Sequence, residues 1–555
     1  MLALRQSGLP DRNIKIAIIN DAVPEHHQKE LRSAGYKINY LSVDGSGRVL
    51  PGHRQTRAQL LDSTSTSIQM AGILALRTSI TSGIVPGATI NIYNAFGTGK
   101  QATTATVLPA LQHAVRNGAQ VITMPEIVTR DNAQEEALRI AIEAAEKDGA
   151  VILVAASGHN FIRASGSFSY AGLPVISVGG YSKPYQPAHW FEGALSGKRI
   201  KYTSPCRSLK HNLKPVKILN AKWNTKNEWT IEKYEDTVML VANFRSDVAA
   251  LLSKAEEVQA RGVILAMPVI GQELKCSIPL FVVNTRGAKL MKEDMKENRS
   301  DFLRKFGNIK STEPATVSKI ATPRGSQEMP IDPDILAPST KLLTFDPHNA
   351  RKYTQYSGIS GAVAYAAGTA ALLLPARQEG ETNTRFIKRA LQNNAYPIVD
   401  RNGLVAEPTF YQGAGMINAE RAYKSTLSAE LTSIDLGKLP TGAKVYFIML
   451  RGCAGAYTCK AFHLPAKHLY GTSGIISMRD PHDSGFSVKI TFSPKIRLMQ
   501  DGRGMIYANI QVPINIPQGD KLHYSGYIGI DQYELSNQAH PVNTIYIPYK
   551  GVAGQ

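Results

Sequence analysis

Short β-rich runs alternate with stretches of helical periodicity between about residues 14 and 185: IKIAIIN, TATVLPALQHAVRNG, QVITM, DNAQEEALRIAIEAAEKDG and VILVAAS follow one another. This is how a parallel sheet with crossover helices reads. Within DNAQEEALRIAIEAAEKDG, Leu138, Ala141, Ile142 and Ala145 recur at helical spacing. Asp131 stands where an N-cap carboxylate accepts from free backbone N–H groups, and Gly149 stands where a C-cap glycine belongs. SGISGAVAYAAGTAALLLPA predicts a further helix made of small and apolar residues, and a helix apolar all round belongs at the centre of a domain.

The pattern changes around 203–305, where NEWTIEKYEDTVMLVANF reads as strands, SDVAALLSKAEEVQARG as one helix, and VILAMP and IPLFVVN as further strands. This predicts a small inserted α/β module. A polar, Pro-rich passage occupies 305–340. Beyond about 428 helical periodicity ends, and VKITFSP, YANIQVPINI, HYSGYIGI and NTIYIPY are separated by turn residues, the pattern of a β-sandwich. The expected organisation is therefore 1–202 and 306–427 as two parts of one α/β domain, 203–305 as an insert, and 428–555 as a sandwich.

Length agrees with this, since 555 residues at roughly 150 per domain make three or four units. With 43% hydrophobic and 19% charged residues the chain reads as globular. No stretch approaches the ~20 consecutive apolar residues that span a bilayer. The opening MLALRQSGLPDRN has no apolar h-region, so no secretory signal is visible. A net charge of +19 favours acidic partners. Its basic residues are spread without arginine-rich blocks or aromatic interleaving, so nucleic acid is not among the expected partners.

Four cysteines leave two readings open: pairs Cys453–Cys459 and Cys206–Cys276, or four buried free thiols. Arg479-Asp480-Pro481-His482-Asp483 is explained by a Pro-containing turn without a metal, and no P-loop, H-E-x-x-H or C-x-x-C pair is present. No cofactor and no metal are expected. Asn298-Arg299-Ser300 is a lone glycosylation sequon.

Taken in order, IKIAIINDAV, MAGILAL, VILVAASGHN, LPVISVGG, PDILAPS and SGISGAVAYAAGTAALL resemble the subtilase family of serine proteases, and more narrowly its fungal secreted members of the minor-extracellular-protease type. The resemblance implies a subtilisin-like parallel sheet with helices on both faces, a protease-associated insert, a C-terminal fibronectin-type-III-like sandwich recognisable in YSGYIGI and YIPYKGVAG, and an extracellular setting.

Acyl transfer by serine needs a base, a carboxylate to orient it, and donors for the oxyanion. SGISGA places Ser360 at the family's nucleophile, at a helix N-terminus where the dipole favours developing negative charge and where a capping serine is equally at home. At the acid position the resemblance puts Asn20, an uncharged side chain, with Asp21 next to it on what would be the opposite face of the strand. At the base it puts Thr66, which cannot act as a general base at neutral pH, and Gln69 at the family's second histidine. At the oxyanion asparagine it puts His159. VITMPEI replaces VINMSLG along the substrate strand, so Pro125 lacks an N–H and Ile127 adds bulk where glycine admits a peptide. His26, His27 and His53 read as ordinary loop histidines.

The expectation is a subtilase homologue that keeps Ser360 and has lost its activating machinery, with protein or peptide as partner and no membrane. The alternative is an active endopeptidase that uses Ser360 with a base relocated to His159.

Overall fold

The computed structural model describes residues 13–44, 46–52, 65–78, 82–96, 101–128, 131–156, 168–170, 172–182, 189–193, 199–202, 216–220, 237–241, 248–266, 278–283, 302–308, 316–317, 333–377, 380–399, 403–438, 442–452, 457–472, 475–481, 486–512, 521–536 and 538–553. Strand β1 (Lys15–Asn20) shows how the first domain is built. Ile16 and Ile18 project to one side and Ala17 and Ile19 to the other, and all four are at most 1% exposed. A parallel sheet covered on both faces needs near-continuous apolar runs, which is why KIAIIN, VITM and VILVA carry no polar alternation.

The parallel strands are β1, β2 (Ile38–Val43), β3 (Thr89–Asn94), β4 (Val121–Met124), β5 (Val151–Ala155), β6 (Val175–Ser182) and β7 (Ile335–Pro338), in the order β7–β6–β5–β4–β1–β3–β2. Short antiparallel strands Val49–Pro51 and Thr316–Val317 flank β2 and β6. The Ile16/Ile18 face is covered by α1 (Glu25–Ser33), α2 (Thr66–Ala75), α5 (Ile359–Leu373) and α6 (Asn383–Asn393). Helices α3 (Thr104–Arg116) and α4 (Asn132–Lys147) cover the Ala17/Ile19 face. This is the subtilisin-like α/β fold. The chain leaves β1 towards β2 and β3, then crosses back over it to β4. Ligands of such sheets gather at the carboxyl ends of the strands flanking that reversal, here beyond Asn20 and Met124.

Helix α4 is capped as its sequence requires: the Asp131 carboxylate accepts from Ala133 N–H at 2.9 Å, and Gly149 adopts φ 86°. Helix α5 is the apolar helix, with Gly361 to Ala364 and Ala366 to Leu373 buried. Over Ile359–Ala376 it has the length and composition to cross a membrane, but 67% of that stretch is buried inside the protein, against α2 and the sheet. Small residues in α2 have a local reason. A Cβ on Gly72 would lie 2.2 Å from Thr344 Oγ1 and 2.5 Å from the Phe345 nitrogen, so glycine lets the hairpin Leu342–Asp346/Asn349–Tyr356 rest on this helix.

A second sheet contains seven strands, in the order Arg199–Tyr202, His189–Gly193, Phe302–Asn308, Val216–Asn220, Thr237–Val241, Gly262–Ala266 and Leu280–Val283, with helix Val248–Glu257 between two of them. It draws in two strands that precede 203, and its strand Phe302–Asn308 crosses the boundary expected at 305.

The C-terminal part packs two antiparallel-rich sheets face to face. One contains Leu427–Ala429, Gly442–Gly452, Arg503–Val512 and Lys489–Phe492; the other is built around Tyr457–Pro465, Lys521–Glu534 and Asn543–Ala553. Strand Lys521–Glu534 is buried on both faces, which explains its run HYSGYIGI. Tyr524, Ile528 and Ile530 enter the sandwich core. Ser525 and Tyr527 alternate with them and face the first domain, where Ser525 Oγ accepts from Thr409 N–H at 3.1 Å and Tyr527 donates to the Gly413 carbonyl at 2.7 Å. Gly529 leaves space for a ring, since a Cβ there would lie 2.1 Å from Phe462.

Two histidines of the sandwich have depressed pKa values. His463 bonds the Tyr549 hydroxyl at 2.8 Å and His468 bonds the Phe486 carbonyl at 3.2 Å, and burial pulls each from 6.5 down to about 4. A depressed folded value stabilises the protein above the unfolded pKa and is lost as pH falls through the folded one. Thermal melts should therefore show a midpoint that declines as pH falls from about 6.5 to 4. His468→Gln should make that decline shallower; an unchanged decline would remove His468 as its source.

Candidate active site

Strand β1 delivers Asn20 to the carboxyl edge of the sheet, where its Nδ2 donates to Met70 Sδ at 3.7 Å. The next residue leaves the strand and does different work. Asp21 Oδ2 accepts from the Thr66 N–H and Oδ1 from the Ser67 N–H, both at 2.7 Å, while Ser67 Oγ donates to the Asp21 carbonyl at 2.8 Å. The first turn of a helix has N–H groups without intrahelical partners and carries the positive end of the dipole, and Asp21 meets both needs for α2. Burial raises its pKa above the ordinary 3.8, with the bonds from Ser67 and Thr66 opposing. The sequence placed Asp21 beside the acid position; its role in closing α2 depends on two residues 45 and 46 positions away.

Thr66 is the first residue of α2, and Ser65 is its N-cap, accepting from Ile68 N–H at 3.4 Å. Where the resemblance expects an imidazole there is a hydroxyl, on a backbone whose N–H is held by Asp21. Gln69 is buried in the same helix, its carbonyl accepting from Thr344 Oγ1.

Ser360 is the second residue of α5 and is half-buried. The N-cap is Gly358, and no side chain caps this helix, so Ser360 does not serve as the capping residue. Its hydroxyl shares a hydrogen bond with the phenol of Tyr356, the last residue of the preceding strand. The Tyr356 ring occupies the space beside the turn into α5: a Cβ on Gly358 would lie 2.5 Å from its hydroxyl oxygen, and one on Gly361 would lie 2.9 Å from the ring. Burial raises the phenol's pKa; the Ser360 bond opposes this and the Asp21 charge adds to it. A phenol whose pKa lies above its ordinary 10 keeps its proton at neutral pH and cannot take one from serine. Sequence reading missed Tyr356, although its place four residues before Ser360 on the strand feeding the helix is a usable signal.

The strand assigned to substrate is already engaged. Pro125 has no N–H to offer, and its carbonyl accepts from the Tyr170 hydroxyl at 2.9 Å. Ile127 is 1% exposed, and its carbonyl accepts from Phe168 N–H at 2.9 Å. Ile127–Val128 also pairs in parallel with Ala102–Thr103. These groups are spent within the protein, leaving little ladder for an incoming peptide to extend.

His26 and His27 lie on α1, not in a loop, and His27 Nε2 bonds the Asp346 carbonyl at 2.8 Å. His53, His159, His482, Asn298, Cys206, Cys276 and Cys453 lie outside the described residues. Cys459 is a buried free thiol, pushed up to about 12 by burial. Among the described residues no cluster of three or more His, Cys, Asp or Glu side chains could hold a metal ion.

Sheet order, the double layer of helices and a serine at the head of a buried helix define a subtilisin-like protease domain. The chain belongs to the subtilase family, whose sequence model matches residues 11–415. It is also similar to the minor extracellular protease Vpr of Bacillus subtilis (strain 168), being 27% identical over 440 residues, which covers 75% of this chain and 52% of that protein. The chain thus spans about half the length of that relative.

The Asp21 bonds carry a measurable consequence. Asp21→Ala should lower unfolding free energy in urea by about 1–2 kcal/mol, the range for a lost N-terminal carboxylate, and Asp21→Asn by less, since one acceptor oxygen remains. Equal stability of all three proteins would show that the cap contributes nothing.

Proposed function

We propose that this chain is a serine protease homologue without proteolytic activity, working by binding or as a scaffold. The observation that carries this reading is the partner of Ser360: a proton-retaining phenol from Tyr356, with threonine at the base position and asparagine at the acid position. Magnitude decides its weight. In subtilisin itself, loss of the histidine alone lowers kcat by roughly 10⁶, about as much as loss of the whole triad. The engaged carbonyls of Pro125 and Ile127 support the same conclusion for substrate docking.

The second sheet is proposed to be a protease-associated-like insert and the C-terminal sandwich a fibronectin-type-III-like domain, both on the strength of the sequence resemblance. An extracellular setting is proposed from that resemblance and from the name of the Bacillus relative. Protein or peptide is the proposed partner.

The test compares hydrolysis of casein and of short peptides by the purified chain and by Ser360→Ala. Indistinguishable background from the two proteins is expected. Turnover that disappears with Ser360 would overturn the proposal and turn the search for a base to His159.

A further inference from the structure

Strand Gly442–Gly452 has two unlike faces. Ile448 and Leu450 enter the sandwich core, whereas Val445, Phe447 and Met449 project outward and are 50%, 63% and 39% exposed. On the neighbouring strand Arg503–Val512, Ile506, Ala508 and Ile510 face inward while Met505 and Tyr507 are 47% and 41% exposed. The antiparallel register sets Phe447 opposite Tyr507, Met449 opposite Met505 and Val445 opposite Asn509. Directly opposed side chains stand about 5 Å apart, so these five make one continuous apolar surface over three rungs. The solvent face of an antiparallel sheet is normally polar. The first domain is contacted by Ser525 and Tyr527 of the other sheet and, at the end of this one, through Ala429, whose N–H donates to Asn393 Oδ1 at 2.8 Å.

Its rim is basic. Arg451 opposite Arg503 forms the next rung, and Lys489 stands beside Gln511 at the other end. Glu430 pairs with Arg451 and Asp501 with Arg503. No ion pair engages Lys489 among the described residues.

We propose that this face docks an acidic polypeptide segment bearing apolar side chains. Phe, Tyr, Met and Arg are the residue types enriched at the centres of protein interfaces, and exposed Met–aromatic surfaces adapt to varied partners. The rim and the net charge of +19 select for carboxylates. A second copy fits poorly, because five side chains cover a smaller area than the roughly 800 Å² per partner of a standard stable interface. The proposal rests on the binding reading above but not on Ser360.

The Ser360→Ala protein, which cannot cleave the probe, is titrated against a fluorescein-labelled synthetic peptide of alternating glutamate and leucine or phenylalanine, and against its lysine-for-glutamate twin. Anisotropy should show saturable binding of the acidic peptide, weakened by added salt and weakened tenfold or more by Phe447→Asp or Met505→Asp. Phe447→Tyr should bind nearly as well, and circular dichroism melts should show all variants folded. Equal binding of the lysine twin, or binding unaffected by the aspartate variants, overturns the proposal. So does a concentration-dependent dimer abolished by Phe447→Asp, or binding only to anionic phosphatidylglycerol vesicles. Hydrolysis by the unmutated chain would defeat the inactive-homologue reading and leave this docking result standing.

Discussion

The carboxylate of Asp21 closes the first turn of helix α2 onto the end of the central strand, and the shape of the candidate site follows from that contact. Two short bonds to the Thr66 and Ser67 N–H groups hold the head of α2 beside β1. Gly72 then allows the Leu342–Tyr356 hairpin to lie on the same helix. The hairpin ends at Tyr356, and Tyr356 meets Ser360. A chain of structural contacts therefore runs through the space where a catalytic relay would need a charged acid and an imidazole. Asp21 supplies a carboxylate within one residue of the acid position, but both of its oxygens already accept from the backbone.

Much of the architecture was legible in the sequence because burial leaves periodic marks. Doubly covered strands read as apolar runs, α4 announced itself through Asp131 and Gly149, and the all-apolar composition of α5 placed it at the centre. Ser360 could be placed at the head of α5 because it belongs to a contiguous motif. What stayed hidden depends on contacts between distant residues. Asp21 reads as a strand neighbour until α2 is docked on it, and Tyr356 reads as a strand tyrosine until its ring is seen over Gly358 and Gly361. The pairing of Ala102–Thr103 with Ile127–Val128 leaves no local pattern, since each segment is only two residues long. The second sheet also takes in His189–Gly193 and Arg199–Tyr202, whose runs are too short to separate from the strands before them.

The first domain illustrates how fold and chemistry part company. The positions that build the core hold apolar residues almost without exception, while the positions that the family resemblance assigns to the acid and the base hold asparagine and threonine, and a half-buried tyrosine stands beside Ser360. A scaffold can persist on packing alone; a relay fails when one member is absent. The exposed side chains that remain unexplained by packing lie elsewhere, on the outer sheet of the sandwich, where Phe447 and Tyr507 face solvent.

The most direct test of the central claim is the chemical reactivity of Ser360 itself. The second-order rate of its phosphonylation by a fluorophosphonate, followed by intact-mass spectrometry, reports whether anything in the fold activates the hydroxyl, independently of whether a peptide can dock. The account predicts no adduct beyond that formed on other serines of the protein, with the same result after Tyr356→Phe. Rapid, stoichiometric labelling confined to Ser360 would mean that a base reaches it, and would contradict the account.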